Sequence, residues 1–167
     1  MKASSWDGIL LANSAVNDDK FALVEPKADG SFLLYIADQN VEGNRYITKN
    51  ISFVYLSLAD AGRGKIVALG RVRSDGEAEV SAGEFQLICG NPGQWYLEIE
   101  GHGVDSGTLL LTPLSTPEGN NRDNVLSYEW DSEAGHFVIE SRDLISQKCQ
   151  GGATPEELMF NFVFLRR

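Results

Sequence analysis

Short apolar runs separated by turn-forming residues dominate the chain. The runs are rich in Val, Ile, Leu, Phe and Tyr, and they are bounded by Gly, Asp and Asn. This pattern is typical of β-strands. The runs that predict strands are residues 9–11, 21–25, 31–36, 51–58, 65–72, 78–80, 84–89, 95–100, 108–112, 125–130, 136–141 and 158–165. The sequence therefore predicts an all-β chain.

Two segments allow finer predictions. The turn "SDGE" at residues 74–77 predicts a tight hairpin, because Asp-Gly suits a type I′ turn. In "ATPEELMF", Thr154 and Pro155 predict one helical turn, with Thr as cap and Pro at the first helical position. The run that follows, residues 158–165, is apolar on both faces apart from Asn161. It predicts a strand covered on both sides, inside a sandwich or at a subunit contact.

The first and last thirds of the chain resemble each other. With Gly8 set against Gly107, "GSFLLYIAD" aligns with "GHFVIESRD", and "SFVYL" aligns with "NFVFL" in the same order. Fixed-order self-similarity is the signature of duplication. We therefore predict one domain over residues 1–167, with repeat copies at about 8–58 and 107–165 flanking a middle segment, 59–106. The predicted fold is an all-β, two-sheet sandwich of jelly-roll-like kind with this internal repeat.

Several short motifs resemble those of a known class of protein. The segments "DGILLAN", "ISFVYLSL", "GRVRSDG", "GQWYLEIEGH", "SGTLLLTP" and "ESRDL" are similar to recurring elements of β-rich repeat modules in large secreted bacterial proteins. The resemblance implies an extracellular or cell-surface setting, and it carries no catalytic residue. "GQWYLEIEGH" also resembles strands of trimeric jelly-roll heads in collagen-like proteins and phage tail fibres, so a homo-oligomer is a second expectation.

Charge and hydropathy exclude two classes of partner. The net charge is −10 and the pI is about 4.6, which argues against a nucleic-acid surface. No apolar run approaches the roughly 20 residues that span a membrane, so we expect no membrane insertion. The N-terminal segment lacks the shape of a signal peptide. We expect a mature or excised extracellular domain, with a cytoplasmic protein as the alternative.

Acidic loops are the candidate metal site. Asp18 and Asp19 in "NDDK" match "GNNRDN", which contains Asp123, in the repeat alignment. Calcium takes six to eight oxygen ligands from such loops. Asp and Asn also form turns without any metal, and Arg122 stands where the first copy has Asp18. The expectation is therefore no cofactor, with calcium as the alternative.

Tryptophans are the candidate sugar-binding residues. Trp95 and Trp130 could stack on a glycan, as could Trp6, but a core position is the ordinary role of such a ring. On a strand, Trp95 and Tyr96 point to opposite faces, so one of the two could face solvent.

No arrangement of residues predicts catalysis. His102, Asp105 and Ser106 lie in one loop, where turn hydrogen bonds are their expected role. Glu98 and Glu100 share one strand face, which predicts a solvated face rather than a glycosidase pair. Cys89 and Cys149 form no CxxC motif and fit either two free thiols or one disulfide.

These observations predict a non-catalytic function. The chain is expected to be a non-enzymatic structural or adhesive module of a secreted or cell-surface protein, with neighbouring modules or surface glycans as its partners. The alternative is a carbohydrate-binding module assisted by calcium.

Overall fold

The computed structural model describes residues 4–14, 20–38, 45–46, 51–114, 124–143, 154–155 and 158–167. Nearly all of them lie in strands or in the turns between strands, and a single 3-10 turn, Leu58–Asp60, follows β5 in this part of the chain. The strands are β1 Gly8–Ser14, β2 Lys20–Pro26, β3 Phe32–Asp38, β4 Arg45–Tyr46, β5 Ile51–Ser57, β6 Ile66–Val72, β7 Ala78–Ala82, β8 Phe85–Cys89, β9 Gln94–Ile99, β10 Gly107–Pro113, β11 Asn124–Asp131, β12 His136–Asp143, β13 Thr154–Pro155 and β14 Phe160–Arg166.

The larger pair of sheets is a sandwich. One sheet has the order β10-β14-β6-β7 and the other has the order β11-β12-β9-β8, with β13 beside β12. The hairpins β6–β7, β8–β9 and β11–β12 each lie within one sheet. Alternate residues of the strands meet between the sheets, because successive side chains on a strand point to opposite faces. This core contains Ala68, Val72, Trp95, Leu97, Ile99, Leu109, Phe137, Ile139, Leu158, Phe160, Phe162 and Phe164.

The smaller pair of sheets consists of β1 with β5, and of β2-β3-β4. Leu10 of β1 and Val24 of β2 are buried between them, and Phe32 and Leu34 of β3 pack against these two residues. The rings of Phe32 and Tyr55 meet edge to face, with centroids 6.2 Å apart. The smaller pair therefore joins its two sheets in the same way as the larger pair, through alternate apolar residues.

The two pairs of sheets share strand order and register. In each, a first strand pairs antiparallel with a last strand, and the hairpin between them forms part of the opposite sheet. Residues that the sequence alignment makes equivalent occupy the same places in the ladders. The matching pairs are Ile9–Leu56 with Thr108–Leu165, and Lys20–Asp38 with Asn124–Asp143.

Two equivalent glycines show how far the likeness extends. A Cβ on Gly8 would lie 2.4 Å from the Leu56 carbonyl oxygen and 2.5 Å from the Tyr55 hydroxyl. A Cβ on Gly107 would lie 2.4 Å from the Leu165 carbonyl oxygen and 2.4 Å from the Phe164 ring. In both places an aromatic ring of the paired strand occupies the space of the missing side chain, so glycine is required for close packing. Duplication as the origin of this likeness stays a prediction.

The two pairs stack through a buried apolar face. Ile9 and Leu11, on the face of β1 turned away from Leu10, cluster with Leu69 of β6 and Val163 of β14. The stack thus has four layers, with the β1–β5 sheet and the β10-β14-β6-β7 sheet in the middle. Asn161 is buried in this contact and donates from Nδ2 to the Leu10 carbonyl oxygen at 2.8 Å.

Arg71 provides a second polar connection across the stack. Its side chain is buried, and Nη2 donates to the Ser5 carbonyl oxygen at 3.0 Å. Nη1 lies 3.3 Å from a carboxylate oxygen of Glu79, and the guanidinium lies 5.8 Å from the centre of the Phe32 ring. Burial lowers the pKa of Arg71, and the hydrogen bond to Glu79 opposes that effect. The connection ties β6 to the segment that enters β1.

The all-β sandwich prediction is confirmed, with one difference in its extent. The described residues form two pairs of sheets where one pair was predicted. The strand that was predicted to be covered on both faces is β14, whose residues from Phe160 to Phe164 are all buried. It lies between β10 and β6, with a sheet packed on either side.

Two local predictions differ from the structure. The hairpin β6–β7 forms, but its turn runs over residues 73–76, where the Gly76 N–H donates to the Arg73 carbonyl at 2.9 Å. Asp75 and Gly76 are therefore not the two central residues of a type I′ turn. Thr154 and Pro155 pair with β12 as β13, so the predicted helical turn does not begin there. Edge pairing has replaced local helix propensity. No helix in the described ranges is both long and apolar enough to cross a membrane.

Candidate functional site

Trp95 is a core residue. It lies on β9, it is 2% exposed, and its ring packs edge to face on Phe160 with centroids 5.1 Å apart. A glycan cannot stack on a ring in this position, because no face of the ring reaches solvent. The sequence-based assignment of Trp95 to a ligand site therefore has no support from its position, and the ring serves the sandwich core.

Trp130 and Trp6 lie nearer the surface. Trp130, on β11, is half-buried, and its ring contacts Phe137 at 4.8 Å between centroids. A Cβ on Gly103 would lie 2.7 Å from the Trp130 ring, so this loop glycine lies close against the indole. Trp6 is 53% exposed and its indole lies over Gly30. Trp6 is thus the most accessible of the three indoles for stacking.

The predicted calcium ligands cannot be compared with the structure. Asp18, Asp19 and Asp123 lie outside the described residues. Within the described ranges, no group of three or more His, Cys, Asp or Glu side chains is arranged to hold a metal ion. The calcium site stays a prediction. Cys89 is a free, exposed thiol that donates to the Asp75 carbonyl at 3.2 Å, and Cys149 lies outside the described residues.

The His102 loop is a hydrogen-bonded turn. Ser106 Oγ accepts from the Gly103 N–H at 2.9 Å and lies 2.9 Å from the Gly103 carbonyl oxygen. His102 Nδ1 lies 3.2 Å from the same hydroxyl, and the imidazole packs on the ring of Phe164, 5.5 Å between centroids. The hydroxyl therefore closes the connection between β9 and β10. This geometry matches the turn role that the sequence predicts for these residues.

The paired carboxylates lie on an exposed face. Glu98 and Glu100 are both exposed, and they line a shallow surface groove together with Glu84 and Gln86. The predicted solvated face therefore describes their environment.

A groove lies beside β5 on the surface of the described residues. It is lined by residues 11–13 of β1, 52–54 of β5 and 110–112 of β10, with a volume of about 480 Å³. Three of its side chains are large, apolar and exposed: Phe53 at 64%, Val54 at 46% and Leu110 at 40%. We call this feature the β5 groove.

The β5 groove has a buried counterpart in the same chain. Phe53 and Val54 are equivalent to Phe162 and Val163 of β14 in the repeat alignment, and both of those residues are fully buried. β14 is covered because β6 pairs with its second edge. β5 pairs with β1 along its whole length, and no other described strand pairs with it. Among the described residues, the groove is therefore the place where the smaller pair of sheets has no counterpart of β6.

Sequence reasoning did not identify the β5 groove. "SFVYL" and "NFVFL" look alike, and both predict a strand without showing whether it is covered. The signal in the sequence was the middle segment, residues 59–106, which has no second copy in the predicted repeat.

No family model matches the chain, and neither a curated protein nor a solved structure matches it.

Proposed function

We propose that the chain is a non-catalytic structural module of a secreted or cell-surface protein, and that it works by stacking and pairing with neighbouring modules of the same kind. The observation that carries the proposal is the apolar contact between the two pairs of sheets, where Ile9, Leu11, Leu69 and Val163 are buried together. One sandwich unit already serves there as the binding surface for another.

The polar groups of that contact support the same role. The buried Asn161 side chain donates to the Leu10 carbonyl of the neighbouring sheet at 2.8 Å. The buried Arg71 side chain donates to the Ser5 carbonyl, in the segment that enters β1, at 3.0 Å. Buried polar groups of this kind fix the relative placement of the two partners, because each would be costly to leave without a hydrogen bond. A module that must hold a fixed angle to its neighbours needs such contacts. A catalytic site does not require them.

Solution mass and thermal melting, measured in about 2 mM Ca²⁺ and in EDTA, test the proposal against the calcium-assisted alternative. Extracellular calcium sites fill at this concentration. A structural module should keep its mass and its melting temperature in both buffers. It should also turn over none of a panel of ester, peptide and glycoside substrates. Turnover of any substrate, lost on mutation of a defined residue, would contradict the non-catalytic role. Antibody labelling of intact source cells tests the extracellular setting, and labelling confined to permeabilised cells would oppose it.

A carbohydrate-binding role is the second candidate, because Trp6 presents an exposed indole at the edge of the smaller pair of sheets. Stacking on an aromatic face is a common means of holding a sugar ring. A glycan array with the parent chain and with Trp6→Ala tests this role, and Trp130→Phe is a control for a ring that is half-buried. Hits that vanish only in Trp6→Ala would replace the structural proposal. An array without hits would remove the alternative.

A further inference from the structure

The two edges of β5 differ in their pairing. In the larger pair of sheets, β14 pairs with β10 on one edge and with β6 on the other. In the smaller pair, β5 pairs with β1 in the register that β14 has with β10. The edge that corresponds to the β6 side of β14 has no strand partner among the described residues. An exposed strand edge is a template for pairing with another chain segment.

The inner face of β5 lacks the same cover. The Phe162 ring packs against Gly70 of β6, where a Cβ would lie 2.8 Å from the ring, and against Phe85 of β8 at 5.0 Å between centroids. Phe53, its equivalent, has no ring partner in the described part of the chain and is the most exposed large apolar side chain there. A partner for Phe53 would therefore need a small residue opposite it and an aromatic residue beyond.

The outer face of β5 points to the same missing strand. In the stack, Leu11 of β1 lies against Val163 and Leu69, so the β1 face is covered by β14 together with β6. The repeat makes Leu110 equivalent to Leu11, and Val54 equivalent to Val163. Leu110 and Val54 line the β5 groove and stay exposed. No described residue covers them in the way that Leu69 covers Leu11 and Val163.

The sheet opposite β5, β2-β3-β4, also has an unpaired edge among the described residues. β12 pairs with β9 over residues 137–140, on the edge that β11 does not occupy. The equivalent stretch of β3, residues 32–35, pairs only with β2 in the described part of the chain, and β4 meets β3 only at Ile36 and Ala37. Both gaps therefore correspond to strands of one continuous segment, β6 to β9.

We infer that the β5 groove binds a segment of the β6–β9 kind, supplied by a neighbouring module, which adds a strand to β5 and completes the smaller pair of sheets. The inference rests on the proposed function and names its partner. The pairing of β14 with β6 gives the register. A glycine equivalent to Gly70 lies opposite Phe53, a leucine equivalent to Leu69 lies opposite Val54, and an alanine equivalent to Ala68 lies opposite Tyr55.

A fusion protein tests the inference. A second copy of residues 59–99 is joined to the N-terminus of the full chain, so that residues 1–7 replace residues 100–106, the seven-residue link that joins β9 to β10. Hydrogen–deuterium exchange is then measured over residues 51–57 in the fusion and in the parent. Pairing with an added strand should slow exchange of the β5 amides on the free edge at least about tenfold, because they become hydrogen-bonded. The fusion should remain a monomer.

Two variants of the fusion serve as matched controls. In the first, the glycine that corresponds to Gly70 is changed to Val in the added copy only, which places a side chain where the Phe53 ring must lie. In the second, Phe53→Ser removes that ring, and in the parent it alters only an exposed position. Each should return exchange over residues 51–57 to the parental rate, while exchange in β14 stays unchanged.

Two results would overturn the inference. Parental exchange rates in the fusion would overturn the inference, whether the added segment is docked elsewhere or unfolded. A parent chain that is already dimeric, with protected β5 amides, would identify a second copy as the occupant and would also overturn it. Failure of the fusion leaves the structural function standing, since that proposal is tested separately by substrate turnover, glycan binding, calcium dependence and cell labelling. The two proposals are therefore separable.

Discussion

Asp131 shows how a single side chain sets a turn. It ends β11, and its Oδ1 accepts hydrogen bonds from the Ala134 N–H at 3.0 Å and from the Glu133 N–H at 2.9 Å. These two backbone hydrogen bonds lower the pKa of Asp131 below its ordinary value of 3.8. The carboxylate therefore closes the β11–β12 hairpin in its charged form.

Replacing Asp131 with Asn should make the stability of the chain less dependent on acid. A carboxyl whose pKa is lowered by folding stabilises the folded state at pH above 3.8, and the contribution is lost as the pH falls through the lowered pKa. Asp131→Asn should thus be less stable than the parent at pH 7 and nearly equal to it at pH 2. Urea unfolding at the two pH values measures this. Glu129→Gln, an exposed carboxyl on the same strand, is the control. An unchanged difference between parent and variant at pH 2 would exclude the turn carboxylate as its cause.

The strands could be predicted from residue patterns, whereas the pairing between strands could not. Alternating and both-face apolar runs predicted nearly every described strand, and β14 was predicted to be covered on both sides. The exposure of β5 was not, because its sequence matches that of β14 while its neighbours differ. Exposure depends on which edge is paired, and pairing is set by segments distant in the sequence. For the same reason Thr154 and Pro155 form an edge strand despite their helix-starting pattern.

Two equivalent phenylalanines should respond differently to truncation. Phe162 is fully buried between the sheets of the larger pair, so Phe162→Ala should lower the free energy of unfolding by about 3–5 kcal/mol. Phe53→Ala changes an exposed ring, and its effect should stay within about 0.5 kcal/mol. Chemical denaturation of both variants beside the parent measures the difference. Equal losses at the two positions would mean that β5 is already covered in solution, which would contradict an open β5 groove.

At the scale of the whole molecule, the repeat predicted from the sequence coincides with a likeness between the two pairs of sheets. The alignment of Gly8 with Gly107 predicted which residues are equivalent, and the ladders place those residues in the same register. It did not predict that the copies would stack face to face. The apolar residues of that contact, such as Ile9 and Val163, have the same type as residues that face a sandwich core. An apolar residue indicates burial, but it does not indicate which sheet covers it.

Stacking should make the two pairs of sheets unfold together. Ile9 is fully buried in the contact and faces away from both sandwich cores, so Ile9→Asp would place an unpaired charge there and leave each core intact. We expect a single thermal transition in the parent and two in Ile9→Asp, with the smaller pair melting first because its buried clusters are smaller. Differential scanning calorimetry resolves this outcome.

The repeat itself provides the control for that experiment. Thr108 is the equivalent of Ile9 in β10 and is exposed, so Thr108→Asp introduces the same charge on the matching strand face without burying it. It should retain one transition at nearly the parental temperature. Two transitions in the parent would instead mean that the stacked contact contributes little to stability, because cooperative unfolding requires that the interface be lost together with the units that form it. The contact between the two pairs of sheets would then be too weak to support the proposed stacking of modules.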